Sequence, residues 1–295
     1  MRRRRLLVGA AVSVLLVLVA AGCDPLLTPD GPAPLRYRDD VFTTVTRTSN
    51  ITYGTAVDQT GATVTLQLDM YEPAGDTAVA RPAVVWVHGG SFAGGSKGSP
   101  ELVEEANYLA RKGYVNVSIN YRLVAGGCTS GGDINKCVTA IGQAREDAQT
   151  AVRFLREQAA TYRIDPNRIA IGGSSAGAIT ALNVGYSPEN PGPGDHQGFS
   201  SAVQAVQSLS GAQLASGPIN AGDAPALLFH GTADSLVPYS WAQGTVQQAT
   251  DAGLLAVLVT WEGAGHVPYT QHRTEILEDT RNFFYWQLDV KNAAQ

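Results

Sequence analysis

Along this chain, short apolar runs alternate with longer stretches in which apolar residues recur every three or four positions. "TVTLQLDMY" (63–71) alternates apolar and polar residues, the period of a half-buried strand. "AVVWV" (83–87) is a continuous apolar run, as expected of a strand buried on both faces. A helix is predicted over "SPELVEEANYLARKG", with Ser99 as cap, Pro100 in the first turn and Gly113 past the end. "YVNVSIN" (114–120) reads as strand, and "AIGQAREDAQTAVRFLREQAATY" (140–162) as one long amphipathic helix. "RIAIG" (168–172) is strand and "AGAITALNVGY" helix. "VQAVQSLS", "PALLFHG" and "LLAVLVTW" predict three more strands, and "TEILEDTRNFFYWQL" a closing helix. Strand followed by helix, repeated, predicts an α/β protein with a mainly parallel sheet and helices on both faces. Functional residues in such sheets gather at the carboxyl ends of the strands.

The N-terminus breaks this pattern. Arg2 to Arg5 form a basic cluster, Leu6 to Ala21 an apolar run, and Ala20, Ala21 and Gly22 precede Cys23. These are the parts of an export signal over residues 1–22, and the run is short of the ~20 residues that span a bilayer. The Ala-Ala-Gly-Cys ending resembles a bacterial lipobox, with Ala20 where that motif usually has leucine. It implies lipidation at Cys23 and a membrane contact through that anchor alone, with simple secretion as the alternative. Residues 23–40 hold four prolines and read as a tether, leaving 41–290 as the folded domain.

The 295 residues suit one large domain or two small ones. Four of the 21 basic residues lie in the export segment, so the remainder has 17 against 26 acidic ones, a net charge of −9. A nucleic-acid partner is not expected of so acidic a surface. Cys128 and Cys137 lie nine apart in "GGCTSGGDINKC". In an exported chain a local disulfide is expected, in preference to a zinc pair, since no histidine is near.

Four strand ends hold candidate chemistry. Gly173-Ser174-Ser175-Ala176-Gly177 fits G-x-S-x-G, a sharp strand-to-helix turn that exposes a serine between small residues. Ser175 has Gly173 and Gly177 two positions away on either side, whereas Ser174 has Gly172 and Ala176, so Ser175 is the candidate nucleophile. A serine needs a base. Of His88, His196, His230, His266 and His272, His266 lies in "WEGAGHVPY", a late loop able to reach over the sheet edge. The base needs a carboxylate. Asp234, in "HGTADSLVP", completes the chain order Ser, Asp, His, with Glu262 as runner-up. After "VVWV" comes His88-Gly89-Gly90-Ser91-Phe92, a loop whose backbone N–H groups suit a developing oxyanion. It has neither P-loop nor dinucleotide-binding spacing.

Taken together, "HGGSF", "NYRL" (120–123), "DPNRIAIGGSSAG", "HGTADSLVP" and "GAGH" resemble the α/β-hydrolase superfamily, and within it the esterases with an HGG oxyanion motif: hormone-sensitive-lipase-like, acetyl and feruloyl esterases and formamidase-like enzymes. The resemblance covers roughly residues 60 to 290. It implies an α/β-hydrolase fold with a sheet of about eight strands, and carboxylic ester hydrolysis through Ser175, His266 and Asp234, without metal or cofactor. It implies an oxyanion hole from the N–H of Gly90, Ser91 and Ala176, with Gly89 as an alternative, and a supporting role for His88. Two departures are evident: Ser91 replaces a third glycine, and Ser174 stands where many relatives have an acid. About 15 residues between "NVGY" and "VQAVQSLS" are too few for a helical lid, so no large cap is expected. An open site suits a small-molecule or polysaccharide-linked ester, such as acetyl or feruloyl esters. An amidase, peptidase or formamidase is the alternative on this fold, and a non-catalytic binding module the third reading.

Overall fold

The computed structural model describes residues 24–128, 132–187 and 192–292. The export segment and Cys23 lie outside the described residues. Eight strands form one sheet: β1 (Val45–Val57), β2 (Thr63–Pro73), β3 (Arg81–Val87), β4 (Val115–Ile119), β5 (Ile164–Ser174), β6 (Ala205–Leu209), β7 (Ala226–Gly231) and β8 (Ala256–Trp261). Their order is β1-β2-β4-β3-β5-β6-β7-β8. From β4 to β8 the pairings are all parallel, while β1 and β2 add antiparallel at one edge. The helices are α1 (Pro100–Ala110), α2 (Ile134–Glu157), α3 (Ala159–Tyr162), α4 (Ala176–Gly185), α5 (Tyr239–Asp251) and α6 (Tyr269–Gln287).

The alternation of side chains along each strand builds two cores. Val85 and Val87 of β3 and Ile169 and Ile171 of β5 face α2 and α4, in one apolar cluster. Val84, Trp86 and Ala170 face the other way, where α1 and α6 cover them. A strand buried on both faces has no room for polar alternation, which is why the middle of the sheet reads as unbroken apolar runs. The strand at the antiparallel edge is different. β1, "VTRTSNITYGTAV", is mostly exposed and shifts register twice against β2. Its polar side chains suit an edge that must not pair with another chain.

Several predicted elements change in detail. Ser99 sits at the start of α1, but its side chain makes no capping hydrogen bond; Pro100 alone marks that end. The long helix begins six residues earlier than its periodicity suggested, where the Asp133 side chain accepts the Asn135 N–H, and it breaks at Gln158 into α2 and α3.

Residues 24–40 do not hang free of the body. Trp286 Nε1 donates to Leu27 O, Asn282 Nδ2 donates to Leu26 O, and Arg36 pairs with the buried Asp76. Tyr37 is 2% exposed and packs edge-on against Tyr114, with 5.2 Å between ring centroids. Within the described residues the tether is thus part of the folded body, because its apolar and charged side chains find buried partners. Among the described residues, no helix is long and apolar enough to cross a membrane.

Candidate active site

β5 ends in the G-x-S-x-G turn. Ser175 has φ +53° and ψ −118°, a region a serine enters only under constraint. The two flanking glycines explain how the turn closes. A Cβ on Gly173 would lie 2.5 Å from Val87 O and 2.6 Å from Gly177 C, and one on Gly177 only 1.8 Å from Val87 O. Nothing larger fits on either side. The Ser175 N–H donates to Leu209 O at 2.9 Å, which ties the turn to β6.

The two adjacent serines diverge here. Ser174 is buried, and its Oγ donates to Glu101 Oε1 of α1 at 2.9 Å. Ser175 is half-buried, with Oγ 2.7 Å from His266 Nε2. His266 Nδ1 lies 2.8 Å from Asp234 Oδ2. The serine, the histidine and the aspartate, far apart in the chain, therefore form one hydrogen-bonded line. Since Oδ2 is a carboxylate oxygen, Nδ1 carries the proton and donates it, so Nε2 presents a lone pair to the serine hydroxyl.

Each partner is held in turn. Asp234 has a fully buried carboxylate, and its Oδ1 accepts the N–H groups of Leu236 at 2.9 Å and Val237 at 3.0 Å. The loop carrying His266 is pinned by Val267 N–H donating to Ser210 Oγ at 3.0 Å. Ser210, just past β6, escaped the sequence reading; its only signal is its position at a strand's carboxyl end. Glu262 is exposed, and the carboxylate that meets the histidine is Asp234. His196 binds Glu157 and Tyr53 O, and His272 stacks on Trp261, so both are engaged elsewhere.

The loop after β3 runs over the elbow. A Cβ on Gly89 would stand 3.2 Å from Ser175 Cβ. Gly90, Ser91 and Phe92 all have positive φ, at +115°, +53° and +59°. The carbonyls of this run are held within the protein: Gly90 O accepts from the N–H groups of Ala93 and Gly94, and Ser91 O accepts from that of Cys128 at 2.9 Å. Among the described residues, none of the N–H groups of Gly90, Ser91 and Ala176 donates a turn or loop hydrogen bond. His88 is buried, its Nδ1 donates to Gly89 O at 2.7 Å, and its ring stacks on Tyr121 at 4.3 Å. Burial lowers its pKa, which keeps it neutral.

The "NYRL" segment anchors this loop from below. Tyr121 OH donates to His88 O at 3.0 Å, Asn120 Oδ1 accepts the Lys97 N–H at 2.7 Å, and Val124 N–H donates to Phe92 O at 2.9 Å. Arg122 reaches the buried Asp147 of α2 and also donates to Val57 O. Cys128 and Cys137 form a disulfide between the end of this segment and the first turns of α2. A cleft beside the elbow is lined by Pro100, Glu101 and Glu104 of α1 and by Val267, Tyr269 and Arg273. Glu104 is already satisfied there by Arg273 and Tyr269.

A buried carboxylate, a histidine and a strained serine thus stand in line beside a loop of positive φ. The chain has the α/β-hydrolase fold. The family model described as BD-FAE matches residues 68–213, and that of TAP-like proteins matches residues 202–285. Thermogutta terrifontis esterase 2 phosphorylated by paraoxon superposes with a TM-score of 0.67 at 26% identity, covering 81% of this chain and 94% of that one. The same esterase with propionate bound gives 0.65 at 25% identity, covering 80% and 93%. Phenmedipham hydrolase of Pseudarthrobacter oxydans is 35% identical over 125 residues, 42% of this chain and 23% of that protein. Carboxylesterase 3B of Mus musculus is 34% identical over 129 residues, 43% and 21%. The chain thus spans under a quarter of the length of these two relatives.

Proposed function

We propose that this α/β hydrolase is a serine carboxylesterase in which Ser175 is the nucleophile, His266 the general base and Asp234 the carboxylate that orients it. The observation that carries the reading is the line Ser175 Oγ, His266 Nε2, His266 Nδ1, Asp234 Oδ2, with contacts of 2.7 and 2.8 Å. Ser175 Oγ attacks the ester carbonyl while its proton passes to His266 Nε2. Asp234 stabilises the imidazolium that results. The negative charge on the former carbonyl oxygen meets the N–H groups of Gly90, Ser91 and Ala176. His266 then gives its proton to the leaving alcohol. Water attacks the acyl-enzyme by the same route, returning the acid product and free Ser175.

For the substrate, the BD-FAE match and the absence of any helix between α4 and β6 among the described residues support an open site for short-chain or bulky esters, acetyl or feruloyl, on sugars. The disulfide supports an exported protein, since such bonds persist in oxidising compartments. Lipidation at Cys23 remains part of this reading as its membrane contact.

The deciding experiment compares p-nitrophenyl acetate hydrolysis by the full chain, Ser175→Ala and Ser174→Ala. Loss of the nucleophile should lower kcat by on the order of 10⁶, whereas Ser174→Ala should retain turnover. Equal activity of Ser175→Ala and wild type would sink the assignment. Covalent labelling by paraoxon, as in the Thermogutta esterase, should appear on Ser175 and vanish in Ser175→Ala. Turnover of acetylated and feruloylated oligosaccharides poorer than that of simple esters would overturn the substrate class.

A further inference from the structure

His230 stands in β7 beside the orienting carboxylate, and no step above uses it. It is fully buried. Its Nε2 lies 2.8 Å from Val237 O and 3.2 Å from Asp234 Oδ2, the same oxygen that accepts from His266 Nδ1. Among the described residues its Nδ1 has no hydrogen-bond partner. Asp234 lies on the loop that follows β7, and His266 approaches from the loop after β8. From α5, Tyr239 meets the ring edge-on at 5.9 Å, while β8 places the uncharged Thr260 opposite in register.

This arrangement determines the tautomer. Nε2 faces two oxygens, and a bare lone pair there would be repelled by both, so Nε2 carries the proton. Protonating Nδ1 as well would bury an N–H without an acceptor and add a cation to a dry site. Burial accordingly lowers the pKa of His230, partly offset by Val237 O and Asp234. A neutral donor therefore stands beside a carboxylate oxygen that the base also uses.

We propose that His230 is a positioning residue for the triad carboxylate: its Nε2–H, anchored on Val237 O, holds the Asp234 loop and restrains the charge that Oδ2 presents to His266. The proposal rests on the triad reading. Without the Nε2–H, Oδ2 is left to His266 alone and favours the imidazolium more strongly. The acid limb of the pH–rate profile then lies at higher pH.

Two variants separate this from simple packing. His230→Phe keeps a ring and removes the donor; His230→Gln places an amide N–H near the lost Nε2–H. The pH profile of kcat/KM with p-nitrophenyl acetate is the readout. For His230→Phe the acid limb should move up by about half a pH unit or more, and for His230→Gln it should stay at the wild-type position. An acid limb of His230→Phe at the wild-type position, whatever its rate, would overturn the proposal. Imidazole ¹⁵N–¹H correlation on the wild-type protein tests the same idea without turnover. His230 should be the neutral Nε2–H tautomer throughout the acid limb, and an Nδ1–H tautomer or an imidazolium there would overturn it even if His230→Phe fails to fold. Absence of ester hydrolysis by the wild type would count against the esterase reading alone, because the tautomer result stands apart from it.

Discussion

Ser174 and Ser175 are chemically identical neighbours with opposite surroundings. Backbone strain and His266 define one; burial and Glu101 define the other. The preference for Ser175 was legible because small residues two places on either side follow from the turn itself. The partner of Ser174 was not legible, since nothing in "GGSSAG" points to a carboxylate on α1. That helix holds a second feature of residue scale. Glu105 is buried, neither carboxylate oxygen has a hydrogen-bond partner among the described residues, and burial, reinforced by the charges of Glu101 and Glu104, pushes its pKa well up. The unfolded chain releases this proton near pH ~4.3 while the folded chain keeps it. Between those points the folded state binds more protons, so stability falls as pH rises. Glu105→Gln removes that dependence. Its melting temperature relative to wild type should therefore climb from about pH 5 to about pH 8. A difference that stays flat over that range would show that Glu105 is not held as the neutral acid.

At the scale of elements, the carboxyl ends of the strands carry the site while loops from neighbouring strands set its geometry. The loop after β4 supports the loop after β3: Cys128 N–H donates to Ser91 O, and the disulfide fastens Cys128 to α2. Replacing both cysteines, Cys128→Ser with Cys137→Ser, should cost about 2–3 kcal/mol of stability for a closed loop of this length. It should also lower kcat more than it raises KM, because in the proposed mechanism the Ser91 N–H meets the oxyanion only in the transition state. Denaturant unfolding and steady-state kinetics on one preparation check both, and an unchanged kcat would separate the disulfide from the oxyanion loop. The elements themselves were unequally legible. Buried β3, β5 and β7 stand out as apolar runs. β1 does not, because an exposed, register-shifted edge strand has no apolar face to betray it. The first turns of α2 escaped for a related reason: Ile134 and Val138 are exposed there, so periodicity does not report the core.

For the whole molecule, the N-terminal segment belongs to the fold. Residues 24–40 clasp the end of α6 and the turn after β2, through Leu26, Leu27, Arg36 and Tyr37. A chain starting at residue 41 should therefore melt lower than one starting at residue 24. Burying one large aromatic side chain is worth about 2–3 kcal/mol, and breaking the Arg36 pair with buried Asp76 adds to the loss. Equal melting temperatures by calorimetry would return the segment to the role of a free tether.

The sequence by itself determined what depends on local pattern. Strand and helix alternation dictated a mainly parallel sheet, and strand-end motifs picked out Ser175, Asp234 and His266. The tight turn of G-x-S-x-G demands its glycines whatever else the chain does. Tertiary structure decided what depends on groups far apart in the chain. It turned Ser174 toward Glu101, brought the Pro-rich segment onto α6, and set His230 and His266 on one carboxylate oxygen. Apart from the local pair of His230 with Asp234, these contacts join residues 32 to 259 positions apart, and their energies come from burial and hydrogen-bond geometry that no local window of sequence contains.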